Sequence, residues 1–310
     1  TSDAMVAALK AGDIDMTGEF TPPTVVSTLK SDGLVVMTAP SLTFNDFIIN
    51  TNPKKTTHRE LLNPKVRMAM EYAIDRKQII KTAYLGYATP GDSIIAPASG
   101  WADPSLKGLP FSLDKANSIL DSLGFHRGSN GIRVADGHPM SYNLVFPTEI
   151  AGAGDRTFSI IANDFKKIGI QLNEQRMDPD TAQTTIEAPK ISYTTYDLAM
   201  WDWVLPPDPQ NVLGVLTCAQ WGNNSDSGYC NHTYDALFAK QSAVVDQKQR
   251  QAIVTKMARM VFNDRPYIVI DYPDIIEAHS KKWTGFVMSP LVGSVNNMST
   301  QTLLSVHQVG

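Results

Sequence analysis

Between residues 141 and 203, strand and helix signatures alternate without a break. SYNLVF (141–146) is followed by a helical pattern at 155–168, IQLNE (170–174), a second helical pattern at 179–187, and YDLAMWDW (196–203). Strands separated by helix-length crossovers cannot pair as simple hairpins. The run therefore predicts an α/β fold, with strands side by side in a sheet and helices on its faces. In open sheets of this kind ligands gather at the carboxyl ends of the strands. The loops after Phe146 and after Trp203 are accordingly the first places to search for a site.

The flanking sequence has its own punctuation. Residues 2–11 read as a helix stopped by Gly12, DIDM (13–16) as a strand, and Thr21-Pro22 as the start of a helix through Leu29. Leu34–Met37 and TFNDFIIN (43–50) read as strands, and 54–63 as an irregular crossing between lobes. Asn63-Pro64 opens a helix with Val66, Met70, Ala73 and Ile74 at helical spacing, and Asp75 caps another through Ile80. A long ordered loop rich in Gly, Pro, Ser and Ala covers 84–110, and Ser112 caps a helix that ends at Gly124.

Length and charge exclude several classes of function. A chain of 310 residues buries a sizeable core and predicts two domains. A net charge of −4, with 27 basic and 31 acidic residues and no basic run, lacks the electrostatic footprint of nucleic-acid binding. Apolar runs such as YIVIDY (267–272) fall far short of the ~20 residues that span a bilayer. The opening residues lack a signal-peptide pattern, which says little about compartment, because a mature chain has lost its signal.

Several motifs suggest chemistry and then fall short. Gly152 and Gly154 before a helix resemble a dinucleotide fingerprint, but Thr157 takes the third glycine's place and the glycines start too far from the strand end. Glu174 is the only candidate ribose ligand. The N-terminus of that helix, near Asp155 and Arg156, offers backbone N–H groups suited to an anion. Ser93 lacks the second glycine of a nucleophile elbow. Asp202 and Asp208 form a candidate hydrolytic carboxylate pair. The six histidines are scattered, with no metal-ligand spacing, and no cofactor is called for. The only two cysteines, Cys218 and Cys230, lie 12 positions apart; a disulfide, two buried thiols, or part of a metal clip with His232 all remain open readings.

YDLAMWDWVLPPDPQNVL (196–213) stands out. Alternation places Trp201 and Trp203 on one face of a strand and Asp202 on the other, before a Pro-Pro-Asp-Pro turn. The tryptophans fit either sheet core or a flat apolar wall with a carboxylate beside it, as in small-molecule clefts.

Taken in order, several segments resemble the family 5 extracellular solute-binding proteins of ATP-binding-cassette importers, which include dipeptide-, oligopeptide- and nickel-binding proteins. They are LKAGDIDM (9–16), NPKVRMAMEYAIDRKQII (63–80), LDKANSILDSLGF (113–125), FKKIGIQL (165–172), DPQNVL (208–213), YCNHTYDAL (229–237) and RQAIVTKMARMVFNDRPYIVIDY (250–272). The resemblance implies a disulfide between Cys218 and Cys230 on an extracytoplasmic loop, and a protein that binds rather than transforms its solute. It also implies the two-lobe fold of periplasmic binding proteins, with 1–62 and 274–310 in the first lobe and 63–273 forming the second. The first lobe is incomplete, because the family's counterpart of LKAGDIDM lies well inside a longer chain.

The implied ligand is a peptide or similar small polar solute held between the lobes, and the implied partners are the permease subunits of the importer. Membrane contact would come only through an N-terminal anchor outside this chain. The resemblance places Trp201, Asp202, Trp203 and Asp208 on one side of the site, Phe146, Thr148, Glu149 and Arg156 on another, Phe44 and Asn45 facing them, and Trp221 and Tyr229 on the disulfide loop. An aromatic ring would stack on ligand, carboxylates would take a cationic end, and Arg156 an anionic one. One departure matters: where peptide-binding members place an acid between the tryptophan and the Asp-Pro, this chain has Val204, Leu205, Pro206 and Pro207. The competing expectation is an extracytoplasmic hydrolase using Asp202 and Asp208 in the same cleft.

Overall fold

A computed structural model describes residues 2–18, 21–150, 152–187, 196–290, 293–294 and 300–310. Its centre is one seven-stranded sheet. In chain order the strands are β1 (Val35–Pro40), β2 (Phe44–Ile49), β3 (Ala88–Pro90), β4 (Ser141–Pro147), β5 (Gln171–Met177), β6 (Leu198–Trp203) and β7 (Tyr267–His279). They lie side by side as β1-β7-β2-β6-β4-β5, and β3 adds to β7. β4 pairs in parallel with both β5 and β6, as the crossover pattern requires, whereas β2 is antiparallel to β6 and β7. The expected strand at 13–16 reduces to one isolated bridge, Met16 to His279, since no neighbour continues the ladder among the described residues.

Helices surround the sheet, and several begin where a side-chain oxygen caps the first turn. The helices include α1 (Ser2–Ala11), α2 (Val26–Ser31), α3 (Pro64–Tyr72), α4 (Arg76–Thr82), α5 (Leu113–Ser122), α6 (Ala153–Lys167), α7 (Pro179–Glu187), α8 (Gln210–Val215), α9 (His232–Ala243) and α10 (Gln247–Asp264). Asn63, Asp75 and Ser112 accept the backbone N–H groups of Lys65, Gln78 and Lys115, satisfying donors that a first turn leaves orphaned. Amphipathic α6 turns Ile161 and Phe165 inward, and the Phe165 ring meets Phe47 of β2 edge-on at 5.4 Å.

Each face of the sheet carries a core. One holds Phe44, Ile48, Val145, Ala199 and the inner faces of α8 and α10; the other holds Phe47, Ile49, Leu144, Phe146 and α3 to α6. A third, small cluster of Val6, Leu9, Leu29 and Ala278 joins α1 and α2 to the far half of β7. Buried Glu71 binds Arg76 at 3.1 Å and Arg265 at 2.5 Å, fastening α3 to the turn that leads into β7.

β2 pairs with β6 and β7 in the middle of the large sheet, because its alternate residues fill both main cores, so the segment from 44 onward packs with the larger body. Among the described residues α1, α2, β1 and the second half of β7 share the smaller one. The return segment, 274–310, is described as far as 290 and at 293–294 and 300–310.

Cys218 and Cys230 form a disulfide across the loop between α8 and α9. Closing a loop of this size restricts the unfolded chain by about 3 kcal/mol. A double Cys218→Ala, Cys230→Ala variant is expected to lose up to that amount in chemical denaturation, and adding a thiol reductant to the unsubstituted protein should reproduce the loss.

Candidate functional site

Two segments pass between the smaller body and the main sheet: residues 41–43, which join β1 to β2, and the middle of β7 around Pro273. They run side by side, with the Ser41 hydroxyl donating to the Pro273 carbonyl at 2.5 Å. Beside them opens a cleft of about 740 Å³. One wall is Pro22, Pro23 and the Pro273–Ile275 stretch. The other is the start of α6 with Glu149 and Arg156, and the floor is Asn45, Trp201 and Asp202. The volume is that of an ordinary small-molecule site.

Asn45 and Asp202 reach the cleft because they alternate with the core residues of β2 and β6. They are directly opposed in the β2–β6 ladder. On its other side Asn45 is opposite Asp271 of β7, so Asp202, Asn45 and Asp271 form a row across three adjacent strands. The Asn45 amide nitrogen donates to Asp271 Oδ1 at 2.7 Å and to the Tyr84 hydroxyl at 2.9 Å.

Charge in the cleft is unbalanced. Among the described residues Glu149, Asp202 and Asp274 line it against one cation, Arg156, whose guanidinium donates to the Ala83 carbonyl at 3.1 Å. Among the described residues Asp202 has no ion-pair partner. Its carboxyl is pushed up to about 6, first by burial and then by the charge of Glu149. Beneath the floor Asp271 is pushed up to about 7 by burial, an effect partly offset by the hydrogen bond from Asn45. Burial also raises Asp274. Two desolvated acids at the cleft, Asp202 and Asp274, with Asp271 buried beneath them, form a place where a cation gains binding energy by restoring the carboxylates' charge.

Of the residues expected at the site, the structure brings together Trp201, Asp202, Glu149, Arg156 and Asn45. The others lie elsewhere, for identifiable reasons. Trp203, partly buried, packs against the core outside the cleft lining, with its indole N–H buried and without an acceptor among the described residues. Phe44 and Phe146 are fully buried core side chains, and the Arg176 guanidinium lies over the Phe146 ring at 4.5 Å. Thr148 is exposed outside the lining. Asp208 faces solvent on the α8 side, held by two hydrogen bonds from Arg250 at 2.6 and 2.7 Å. The carboxylate pair Asp202 and Asp208 that hydrolysis would need is therefore not assembled.

Trp221 and Tyr229 serve the disulfide loop itself. The Trp221 indole donates to the Tyr229 carbonyl at 3.1 Å, and the Tyr229 hydroxyl to Asp264 at 2.6 Å. The start of α6 is also occupied: Asp155 accepts the Gly152 N–H at 2.7 Å and pairs with Arg176, so its own carboxylate already fills the place an anion would take. Glu174 pairs with Arg176 at 2.7 Å, and Ser93 is buried in a turn with its hydroxyl on the Ile95 carbonyl. Sequence reasoning missed Tyr84, Asp271 and Asp274. The one signal for Asp271 was an acid inside the apolar run YIVIDY.

The chain belongs to the family 5 bacterial extracellular solute-binding proteins. The model of that family's middle region matches residues 1–224. The glutathione-binding protein GsiB of Escherichia coli (strain K12) is 22% identical over 275 residues, covering 85% of this chain and 49% of its own; GsiB of Pectobacterium atrosepticum is 23% identical over 274 residues. Among solved structures, oligopeptide-binding AppA from Bacillus subtilis with a nonapeptide superposes with a TM-score of 0.82 at 20% identity. The match covers 100% of this chain and 59% of AppA. NikZ from Campylobacter jejuni with Ni(L-His) gives 0.81 at 18% identity, covering 99% and 60%. The chain thus spans about half the length of the curated relatives it matches, and has the periplasmic-binding-protein fold with part of the first lobe. The family is one of binding proteins rather than enzymes.

The two tryptophans should separate in experiment. Replacing Trp201 with alanine removes a ring at the cleft floor and is expected to weaken ligand binding by roughly 1–3 kcal/mol in calorimetry with little change in unfolding. Trp203→Ala, outside the lining, should leave affinity nearly unchanged and lower stability by roughly 0.5–3 kcal/mol through lost packing against the core.

Proposed function

We propose that this protein is the extracytoplasmic receptor of an ATP-binding-cassette importer, that it captures a peptide or similar small solute by a primary amino end, and that it delivers the solute to the importer's permease. The observation that supports this reading is the unpaired carboxylate of Asp202 on the floor of a cleft with an acid excess, next to the Trp201 ring. The stretch where relatives that bind peptides carry an acid, Val204 to Pro207, is apolar here, and Asp202, just before it, supplies the charge from the strand itself. Arg156 at the opposite wall suits the anionic end of a zwitterionic solute.

The residue boundary between lobes follows the sheet: the larger body holds the floor, and the smaller one closes over it through residues 41–43 and Pro273. Hinges that use two short crossing segments are the usual device for such closure. Binding energy would come from burying apolar ligand surface under Trp201 and the wall prolines, with a few polar groups fixing orientation. No bond is made or broken.

The test is calorimetry of the intact protein against short peptides in free-amino and N-acetylated form. The free-amino peptides should bind and the acetylated ones should bind far more weakly. Asp202→Asn should cost the free-amino peptides about 10- to 100-fold, the worth of a hydrogen bond to a charged group. Because Asp202 is neutral below about 6 in the empty cleft, affinity should rise with pH through that value and level off above it. Equal affinity for both peptide forms, or affinity that rises as pH falls, would exclude the amino-end reading.

A further inference from the structure

Asp271 does not line the cleft, is fully buried, and yet points a carboxylate at a residue that does. Its position depends on an irregularity in the sheet. Phe47 is opposite Ile268 and Asp46 opposite Val269, but Asn45 is opposite Asp271, so Ile270 is an extra residue in β7 and forms a bulge. Bulges re-aim side chains and recur beside functional sites. Without this one, Asn45 would face Ile270 and the row Asp202–Asn45–Asp271 would be broken.

Resting on the reading that an amino group enters at Asp202, we propose that Asp271 is a positioning residue: with Tyr84 it engages the amide hydrogens of Asn45, so that Asn45 presents Oδ1 to the ligand beside Asp202. The chemistry of an amide leaves little choice. A carboxylate only accepts, and a primary amide has two N–H donors and one carbonyl. With Asp271 ionised, the Asn45 atom 2.7 Å from its Oδ1 is the nitrogen, since a carbonyl there would put two acceptors in contact. Its second hydrogen is taken by the Tyr84 hydroxyl. What remains for the cleft is an acceptor.

The consequence is selectivity. Asp202 and Asn45 Oδ1 together face the ligand with acceptors only. An ammonium, with three N–H donors, satisfies both residues at once. A secondary amide has a single donor and brings a carbonyl that neither residue can receive. Were Asn45 free to rotate, its NH2 could turn toward the cleft and accommodate that carbonyl, and discrimination would fall. The hydrogen bond from Asn45 is also the largest influence holding the Asp271 carboxyl down against its burial, so the contact is felt from both sides.

The first measurement needs no ligand. In selectively 15N-asparagine-labelled protein, the Asn45 side-chain pair, assigned by its disappearance in Asn45→Asp, should exchange slowly and lie away from the positions of solvated amides. In Asp271→Leu, which keeps the volume and removes the acceptor, it should move to solvated positions. A pair that is already solvated in the unsubstituted protein, or is unmoved by Asp271→Leu, overturns the proposal. The second measurement compares affinities for a tripeptide with free and with acetylated amino ends. Asp271→Leu should weaken the free-amino peptide about tenfold and leave the acetylated one unchanged. Equal loss for both would show a merely structural role and overturn it. If Asp271→Leu does not fold, Tyr84→Phe, which removes the second anchor and keeps the ring, must show the same selective loss in smaller degree. Should the unsubstituted protein fail to distinguish the two peptides, the amino-end reading falls, and the amide signals still decide what holds Asn45.

Discussion

The structure depends on one thirteen-residue strand. β7 pairs with β2 through its first residues, takes β3 on its middle, and pairs with β1 through its last six, so a single stretch of backbone belongs to both bodies of the molecule. Nearly all of it is buried, and its N-terminal end is fixed by the Glu71 clamp on Arg265, which sits in the left-handed conformation at the end of α10. Where one strand serves two bodies, their separation is fixed to within the bending of that strand. The cleft lies where the partner of β7 changes from β2 to β1: the Ile270 bulge has just interrupted the register with β2, and Pro273 cannot donate.

The acids around the cleft have an energetic cost in the empty protein. Asp202 and Asp271 are raised above the ordinary carboxylate range by burial, as are Asp46 and Asp226 on the opposite face, where Asp226 accepts from the Tyr267 hydroxyl. For an acid whose folded pKa exceeds its unfolded value, the contribution to stability is present at low pH and is lost as pH rises through the folded value. The groups at about 6 and about 7 place that loss between roughly pH 4 and 7, the lower end being the unfolded carboxylate value. A core of this size tolerates the cost, and a cation entering the cleft removes the share that belongs to Asp202.

Much of the fold was legible because local periodicity determines it. The parallel β4, β5 and β6 with α6 and α7 follow from a strand–helix alternation that has few other solutions, and the caps at Asn63, Asp75 and Ser112 follow from side-chain chemistry. The place of β2 was not legible. Nothing in TFNDFIIN says that its neighbours will be residues 198–203 and 267–271, since strand order is set by packing over long sequence separations. Site residues divide along the same line. Asn45, Asp202, Glu149 and Trp201 sit on strand ends or in the loop after β4, and Arg156 on the first turn of α6 that follows it. Trp203 shares a face with Trp201, yet Trp201 lines the cleft and Trp203 lies outside the lining. Asp208 looked equivalent to Asp202 until Arg250, 42 residues away, claimed it.

Recognition in this cleft is divided between a floor and a wall. The groups that can name a ligand, Asp202, Asn45, Trp201 and Arg156, all stand on the main body, on strands whose other face is core or at the first turn of α6. The smaller body contributes Thr21, Pro22, Pro23 and Thr24, with Asp274 on the crossing strand. A ligand can therefore be read by the floor before the wall arrives, and under the proposed closure the wall acts by excluding water. That step strengthens the contacts the floor already makes, because a charge pair gains as the dielectric around it falls. It also explains why the polar groups sit on the central strands rather than on mobile loops: an Asn amide fixed by two hydrogen bonds can choose between a donor and an acceptor, and an Asn on a moving loop cannot.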